Sequence, residues 1–396
     1  MADRDLDLVL FGATGFTGGL TAEYLAQAVA RKGGPAGLRW ALAGRNPAKL
    51  AAVRDRLVAR FGESLAGLEL LPGDAADGAS LAAIAARTRV VVTTVGPYLK
   101  HGELLVRACA EAGTDYVDLA GEPEFIDTMY VRYHEIAAGN GARIVHACGF
   151  DSIPHDLGAL YTAQQLGASG AVTMRGVVRS AALASGGTFH SALGQFARAR
   201  QLRAAAVARR QVEQRPKGRR VKAVAGRPTR DARLGYYLLP LPTVDPAIVV
   251  RSAAALPVFG DDFRYSHFAG TKTLRYAIGG AAGVGALVAA AQVGPVRRWL
   301  GTRMPQGEGP SEGRRTKSWF TVDFVAEGDG RTVHARVSGG DPGYTETAKM
   351  LAESALCLAL DDNPATSGSV TTAVAMGDAL LRRLQQAGIR FETIAD

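Results

Sequence analysis

The apolar residues of the first 160 positions fall into short continuous runs that alternate with segments of helical spacing. This alternation is typical of an α/β fold, in which helices separate buried parallel strands. Strands are predicted at 6–11, 38–43, 68–71, 90–95, 116–119 and 142–147, and helices at about 17–31, 47–61, 79–86, 101–112 and 123–138. The pattern therefore predicts an N-terminal Rossmann domain, a doubly wound parallel sheet, over residues 1–160.

The second half of the chain predicts an inserted α+β domain over residues 161–340. A strand is expected at 171–178, a long helix at 188–210, and an alternating hairpin at 318–338 that turns at Glu327–Gly330. Helices at 345–360 and 371–386 are expected to return to the first domain, as a third segment that spans 341–396.

Residues 276–296 carry no charge, but they are mostly Ala and Gly with few Leu, Ile or Phe. Their number reaches the transmembrane range, yet this weak hydrophobicity argues against a helix that crosses a bilayer. A buried helix, or one that lies at a membrane surface or shields a lipid chain, is favoured. A plain core helix or a helix at a homodimer interface is the alternative.

The first predicted strand runs directly into a glycine-rich turn, Gly12-x-x-Gly15-x-x-Gly18. Gly12 permits the tight turn, Gly15 lets the backbone approach a pyrophosphate, and Gly18 lets the helix lie close to the strand. The N-terminus of the helix favours a phosphate group, so the turn predicts a bound dinucleotide. A purely structural turn is the alternative. Neighbouring residues that are candidate cofactor contacts are Thr14, Phe16 and Thr17.

A residue near the end of the second predicted strand bears on the choice of cofactor. NAD-preferring Rossmann domains carry an acid there for the ribose 2′-hydroxyl, whereas this chain has Arg45. A guanidinium can pair with a 2′-phosphate, so NADP(H) is favoured over NAD(H); the alternative is that Arg45 only contacts the next helix. After the third strand, Asp74 is a candidate for bonding the adenine amino group or for capping the 79–86 helix.

The carboxyl ends of the fourth and sixth strands should face the cofactor ribose and nicotinamide. Candidate cofactor contacts there are Gly96, Pro97, Cys148, Gly149 and Phe150. Candidates for a proton donor or substrate anchor are Tyr98, Asp151, Ser152 and His155. Structural alternatives stay open: Tyr98 stacks on nicotinamide, Asp151 caps the helix that begins at Pro154, and His155 is a helix-end residue.

Three cysteines, Cys109, Cys148 and Cys357, form no metal-spaced pair, which predicts a reducing compartment and no metal site. The N-terminus shows no signal peptide, so a cytoplasmic location is expected, with peripheral membrane association as a further possibility. The sequence has no Tyr-x-x-x-Lys of short-chain dehydrogenases and no zinc alcohol dehydrogenase spacing.

The net charge of +9 is local. Residues 198–233 contain thirteen Lys or Arg against Glu213 and Asp231, so this segment carries +11 and the rest of the chain about −2. A solvated helix face that runs into a loop is one interpretation. The other is a docking surface for a carrier protein, its phosphopantetheine or an anionic membrane. Nucleic acid is disfavoured, because the first aromatic residue after the segment is Tyr236.

Several strings resemble the saccharopine dehydrogenase-like oxidoreductases, most closely the actinobacterial branch with the trans-acting enoyl reductases of complex lipid synthesis. They are GATGFTG, AGR, VGPY with HGE (95–103), ACAEAGTDYVDLAGE (108–122), CGFDSIPHDLG (148–158), SGGT (185–188), GPSEGRR (309–315), TAKMLAESALCLAL (347–360) and AVAMGDALLRRL (373–384). The resemblance implies an NADPH-binding Rossmann domain and an inserted α/β domain that covers the nicotinamide. It does not imply saccharopine as the substrate.

The expected function is an NADPH-dependent reductase of an enoyl or keto group on a hydrophobic substrate, either a small lipid-like molecule or a carrier-bound chain. A saccharopine-type amino acid or imine dehydrogenase is the alternative enzyme. A non-catalytic NADP-binding sensor or membrane-associated protein is the alternative outside enzymes.

Overall fold

A computed structural model of the protein describes residues 4–31, 34–35, 37–181, 198–214, 216–293, 295–296 and 309–395. The chain divides into two compact units. The first unit comprises Met1–Gly149, Gly307–Gly309 and Tyr344–Arg383, and the second comprises Phe150–Gln306, Pro310–Gly343 and Leu384–Asp396.

The first unit is built on a parallel sheet of seven strands. In chain order they are β1 Leu6–Phe11, β2 Trp40–Gly44, β3 Glu69–Pro72, β4 Thr88–Thr93, β5 Asp115–Val117, β6 Arg143–Val145 and β14 Gly368–Val370. The spatial order is β14-β6-β5-β4-β1-β2-β3, so the strand order reverses at β1, which pairs with both β2 and β4. The predicted doubly wound Rossmann sheet is confirmed.

The hydrophobic runs are readable in the sequence because these strands are covered on both faces. Every residue of β1 is buried, and Leu8, opposite Trp40 and Val90, is fully inaccessible. A parallel strand buried on both sides needs apolar residues at successive positions rather than at alternate ones.

Helices alternate with most of the strands along the sequence of the first unit. They are α1 Phe16–Ala30, α2 Pro47–Phe61, α3 Gly78–Arg87, α4 Tyr98–His101, α5 Glu103–Ala112, α6 Pro123–Asn140, α12 Thr345–Leu360 and the first part of α13 Thr372–Gln386, which breaks at Gly377. One helix is predicted over 101–112, but the structure has two, α4 and α5. The first begins before the predicted start, because the Pro97 carbonyl accepts bonds from the N–H groups of Lys100 and His101.

The second unit contains an eight-stranded mixed sheet. Its strands are β7 Ala171–Ser180, β8 Arg220–Ala223, β9 Thr229–Arg230, β10 Tyr237–Pro240, β11 Asp262–Thr271, β12 Phe320–Gly328, β13 Arg331–Gly339 and β15 Arg390–Thr393. The order is β15-β13-β12-β7-β11-β10-β9, with β8 beside β11; β11 is parallel to β7 and β8, and the other pairs are antiparallel.

The predicted hairpin is β12 and β13. Pairing extends through Gly328 and Arg331, so only Asp329 and Gly330 form the turn, with φ of 48° and 72°. Positive φ at both positions is typical of the tight turn that matches strand twist, which explains why the loop is shorter than the predicted Glu327–Gly330.

Five helices accompany this sheet in the part of the chain that the structure describes: α7 Ile153–Leu166, α8 Ala199–Val212, α9 Asp245–Ala255, α10 Leu274–Gln292 and α11 Glu312–Arg315. The long helix predicted at 188–210 begins outside the described residues, and its later part is α8. The predicted boundary after residue 160 falls inside α7, and the whole of α7 belongs to the second unit.

Helix α10 coincides with the uncharged segment 276–296. Its Tyr276 and Ile278 are each 62% exposed, and Ala277 is buried. The alternative of a buried helix is therefore wrong for the described side chains at 274–280, where Ala277 is buried and the other positions are exposed. Among the described residues, no helix combines the length and hydropathy needed to span a membrane.

Candidate functional sites

The glycine turn between β1 and α1 is shaped for a phosphate group. Gly12 has φ of 96°, in the left-handed region that favours glycine. A Cβ at Gly18 would overlap the Gly12 carbonyl oxygen and would lie 2.8 Å from Thr94 Oγ1. Gly15 is the N-cap of α1 and, as a glycine, supplies no side-chain capping bond. The turn fits a dinucleotide pyrophosphate.

The other predicted residues of this turn differ in their packing. Thr14 is exposed and Thr17 is partly exposed. The Phe16 ring packs edge-on against Tyr344, with ring centroids 5.0 Å apart, and a Cβ at Gly309 would overlap the same ring. Phe16 is thus held in place by a returning segment of the first unit.

Arg45 is exposed directly after β2 and, among the described residues, has no hydrogen-bond or ion-pair partner. Helix α2 does not need it as a cap, because Asn46 Oδ1 accepts a bond from Lys49 N at 3.0 Å. After β3, Asp74 Oδ1 accepts a bond from Ala76 N. The alternative in which Asp74 caps α3 is wrong, since Asp77 is the N-cap and accepts from Ala79 N.

Tyr98 follows the carboxyl end of β4, and it is buried and hydrogen-bonded to neighbouring loops. Its hydroxyl donates to Thr93 O and accepts from Leu119 N, both at 3.1 Å. Its backbone N–H donates to Glu122 Oε2. Burial raises the pKa of the Tyr98 phenol well above its usual value. Gly96 is exposed beside it, and a cis peptide joins Gly96 to Pro97.

Glu122 is a buried acid that the sequence analysis did not select. Burial raises the pKa of its carboxyl to about 7; the Tyr98 N–H opposes this rise and the charge of Asp118 adds to it. The carboxyl therefore titrates near neutrality at the edge of the sheet where the cofactor is expected. In sequence it is an ordinary residue before a helix-starting proline.

Asp118 fixes the backbone that leads to the predicted contacts after β6. Its carboxylate accepts bonds from Ala120 N and Ala147 N, and it lies 2.7 Å from His146 Nδ1. The Asp118 carbonyl accepts a bond from Cys148 N. Cys148 is buried, and next to it a Cβ at Gly149 would lie 2.7 Å from Leu119 Cδ2. Close packing thus requires glycine at position 149.

The remaining predicted residues belong to the second unit. Phe150 packs edge-on against His155 and Phe320, with ring centroids 5.4 and 5.0 Å apart. Ser152 is the N-cap of α7 and is fully buried, but its side chain makes no capping bond. Asp151 keeps some exposed surface. Burial raises the pKa of the Asp151 carboxyl to about 6, aided by Asp245 and opposed by His155.

His155 joins two residues that the sequence analysis missed, Asp245 on α9 and His267 on β11. His155 Nδ1 lies 3.0 Å from Asp245 Oδ1, and His267 Nε2 lies 3.6 Å from Asp245 Oδ2. Burial lowers the pKa of His267 to about 3. Burial would raise the pKa of Asp245, but His155 and His267 outweigh it and hold this pKa below its usual value. The three positions lie 90 and 22 residues apart, too far for a local motif.

Comparisons with known proteins show the family to which the chain belongs. Residues 8–145 match the saccharopine dehydrogenase NADP-binding domain. A Mycobacterium tuberculosis protein, provisionally named a trans-acting enoyl reductase, is 40% identical over 98% of this chain and 98% of its own length. The trans-acting enoyl reductase of Mycobacterium ulcerans is 35% identical over 98% of this chain and 97% of its own length. This chain belongs to the saccharopine dehydrogenase-like oxidoreductases.

As a saccharopine dehydrogenase-like oxidoreductase, the chain is an NAD(P)-dependent enzyme with an NADP-binding domain, and the predicted family and cofactor are confirmed. The matched residues run from β1 to β6 and so contain the glycine turn. Saccharopine dehydrogenase (L-Glu forming) from Saccharomyces cerevisiae shares the fold, with a TM-score of 0.53 at 13% identity over 98% of this chain and all of its own.

Proposed function

We propose that this saccharopine dehydrogenase-like oxidoreductase is an NADPH-dependent reductase of an enoyl or keto group on a hydrophobic substrate, either lipid-like or carrier-bound. The observation that supports dinucleotide binding, and with it hydride transfer, is the close turn at Gly12, Gly15 and Gly18, where a side chain at Gly18 would overlap the backbone. The preference for an enoyl group is supported by the names of the full-length mycobacterial relatives.

The roles of the cofactor contacts follow from their chemistry. The turn residues, with Thr14 and Thr17, hold the pyrophosphate, and the unpaired Arg45 meets the 2′-phosphate. Asp74 bonds the adenine amino group with the carboxylate oxygen that Ala76 N leaves available. Gly96, Pro97, Cys148, Gly149 and Phe150 complete the contacts to ribose and nicotinamide.

When bound, NADPH supplies the hydride, so the protein has to position the substrate and deliver one proton. Of the four predicted candidates, Asp151 is the least buried and is partly exposed, whereas Tyr98, Ser152 and His155 are 7%, 0% and 1% exposed. Asp151 is therefore the proton donor in this proposal. Ser152 and His155 anchor the loop that carries it, and Tyr98 positions the loops after β4 and β5.

A titration with NADPH and NADH tests the cofactor assignment, using Arg45→Ala and the matched control Arg56→Ala, an exposed arginine of α2. We expect wild type and R56A to prefer NADPH, and R45A to lose about tenfold or more of NADPH affinity with little change for NADH. Equal loss for both nucleotides would contradict the 2′-phosphate contact. Absence of binding of either nucleotide would contradict the reductase.

Turnover decides the reaction class. Enoyl and 3-keto thioesters are offered with NADPH, in parallel with a 2-oxo acid plus an amine. We expect oxidation of NADPH with the thioesters. Reaction with the oxo acid and amine alone would indicate the saccharopine-type dehydrogenase, and tight NADPH binding without turnover on either panel would indicate the non-catalytic sensor.

The basic segment supports a carrier-bound substrate. Within it, some arginines serve the fold: Arg209 pairs with Glu213, and Arg219 donates to the carbonyls of Ala253 and Gly260. Many of the other cations are exposed, among them Arg200, Arg203, Arg210, Lys222, Arg227 and Arg230. An acidic carrier protein would meet this surface.

Charge reversal tests that docking. Lys222→Glu with Arg230→Glu should raise KM for a carrier-bound substrate about tenfold or more at low salt and leave KM for the free thioester unchanged. Arg54→Glu with Arg56→Glu, on α2 of the first unit, is the control. Equal effects of the two double variants would contradict a specific docking surface.

A further inference from the structure

We propose that His155, Asp245 and His267 of the second unit form a binding site for one divalent transition-metal ion, with zinc as the expected occupant. The inference is independent of the reaction class, because it rests only on the arrangement of these three side chains.

The ligand atoms are already close enough for a common ion. One nitrogen of each imidazole and one carboxylate oxygen all lie within 4.8 Å of one another. Ligands at about 2.0–2.2 Å from zinc stand roughly 3.3–3.6 Å apart in a tetrahedron, close to the 3.0 Å and 3.6 Å separations of the Asp245 oxygens from the two histidines. Only small side-chain shifts are needed to bind the ion.

The same atoms lack hydrogen-bond partners. His155 Nδ1, His155 Nε2, Asp245 Oδ1 and His267 Nε2 are buried and make no hydrogen bond in the described part of the chain. Their side chains are 2%, 4% and 1% exposed for His155, Asp245 and His267. Buried polar atoms that have close contacts but no hydrogen bond are costly, so the cluster calls for a group that binds nitrogen and oxygen lone pairs at once.

Outer contacts orient two of the ligands. The Tyr265 hydroxyl lies 3.1 Å from His267 Nδ1, which turns His267 Nε2 toward the carboxylate. The Thr243 hydroxyl donates to Asp245 Oδ2. Hydrogen bonds of this kind fix the tautomer and the direction of a metal ligand. The His155 ring is held by the edge contact with Phe150.

Two other His–Asp pairs differ in the further partners of their carboxylates. The Asp118 carboxylate beside His146 is satisfied by Tyr116 and by two backbone N–H groups. The carboxylate beside His334, on Asp323, is paired with Arg336, which supplies the positive charge. At Asp245, both ion-pair partners are histidines, whose nitrogens can bind a metal only when they are neutral.

The donor set selects the ion. Two imidazoles and one carboxylate suit zinc, cobalt or nickel, whereas magnesium and calcium prefer oxygen ligands. Three protein ligands leave at least one coordination position for water or another oxygen.

The test measures metal on the full-length protein and does not depend on activity. Wild type is purified, dialysed against zinc and then against buffer, and analysed by plasma mass spectrometry, with cobalt(II) added to the metal-free protein as an optical probe. We expect about one zinc per chain and visible cobalt bands of a four- or five-coordinate site. His267→Gln and Asp245→Asn should each lose the bands, and His334→Gln, the matched control in the same unit, should keep them.

Wild-type protein that retains no zinc and gives no cobalt spectrum would overturn the proposal and leave the cluster as a hydrogen-bond network. Retention of both signals in folded H267Q and D245N, checked by circular dichroism, would equally overturn it. Since the wild-type result decides by itself, a variant that fails to fold does not remove the test. Failure of NADPH turnover with zinc bound would contradict the proposed function and leave this site intact.

Discussion

The backbone N–H of Tyr98 donates to Oε2 of Glu122 at 3.1 Å, and this bond joins the loop after β4 to the loop after β5. The Tyr98 phenol makes a second connection between the same loops through Thr93 O and Leu119 N. One residue thus fixes two neighbouring loops at the edge of the sheet where NADP is expected, and the first two predictions concern this pair.

Glu122→Gln should alter the pH dependence of stability. The folded protein keeps Glu122 protonated up to about pH 7, whereas the unfolded chain releases this proton near the ordinary value of 4.5. Between these values the folded state binds more protons, so the free energy of unfolding falls as pH rises, by about 3 kcal/mol at most. E122Q should remove this fall, as measured by urea unfolding at about pH 5 and about pH 8. Glu135→Gln, whose side chain is 90% exposed, is the control. An unchanged pH slope in E122Q would show that another group titrates.

Tyr98→Phe should destabilise the first unit. The change leaves Leu119 N and Thr93 O without their partner, at a cost of about 1–3 kcal/mol. If Tyr98 acts only by position, the variant keeps the pH profile of kcat while its KM for NADPH rises. Denaturant unfolding and the pH profile are the measurements, with Tyr276→Phe, 62% exposed, as the control. Loss of one limb of the pH profile would instead assign proton transfer to the phenol.

Gly18→Ala should abolish tight nucleotide binding, because the new methyl group would overlap the Gly12 carbonyl and push α1 away from β1. The neighbouring Gly19→Ala is a close control, since its new methyl group would lie 3.9 Å from Ala13 O, an ordinary van der Waals contact. We expect an NADPH affinity at least about tenfold weaker in G18A and unchanged in G19A, by fluorescence titration. Similar affinities in the two variants would argue that the close approach of helix and strand does not matter for binding.

Arg383→Ala should be among the most destabilising single substitutions at partly buried positions of the first unit. Arg383 lies 2.7 Å from Asp361 Oδ1 and 3.2 Å from Glu353 Oε2, and the Tyr24 hydroxyl donates to Glu353 as well. Removing the cation leaves two partly buried carboxylates without it, at about 3 kcal/mol or more. Arg382→Ala, at an exposed position, should change the free energy of unfolding by less than about 0.5 kcal/mol. Equal thermal midpoints for the two variants would contradict this account.

The sequence was most informative for strands that are buried on both faces of the sheet. β1 and β4 are predictable because their buried centres are apolar at successive positions, Leu8–Phe11 and Val90–Val92, and α2 because Asn46, Pro47 and Gly62 mark its ends. The glycine turn is predictable because its spacing is local. The same reasoning identified candidate residues along the carboxyl edge of the sheet.

The second unit was harder to predict for a physical reason. Strand β8 is almost wholly exposed and carries Arg220 and Lys222, so it has no hydrophobic pattern. Asp245 precedes a proline at the start of α9 and has the appearance of an ordinary helix-start residue, and His267 occupies a buried position of β11. Their proximity to His155 depends on the packing of three elements, which no local spacing encodes.

The strand that ends the first sheet has a consequence for synthesis. β14 pairs with β6 through Gly368, Ser369 and Val370, more than 200 residues after β6 leaves the ribosome. Until then β6 has one unpaired edge, the kind of edge on which other chains add strands. The nucleotide-binding sheet is therefore one of the last parts of the molecule to be completed. An N-terminal fragment that ends at Gly149 would expose the unpaired edge of β6, to which other chains can add strands.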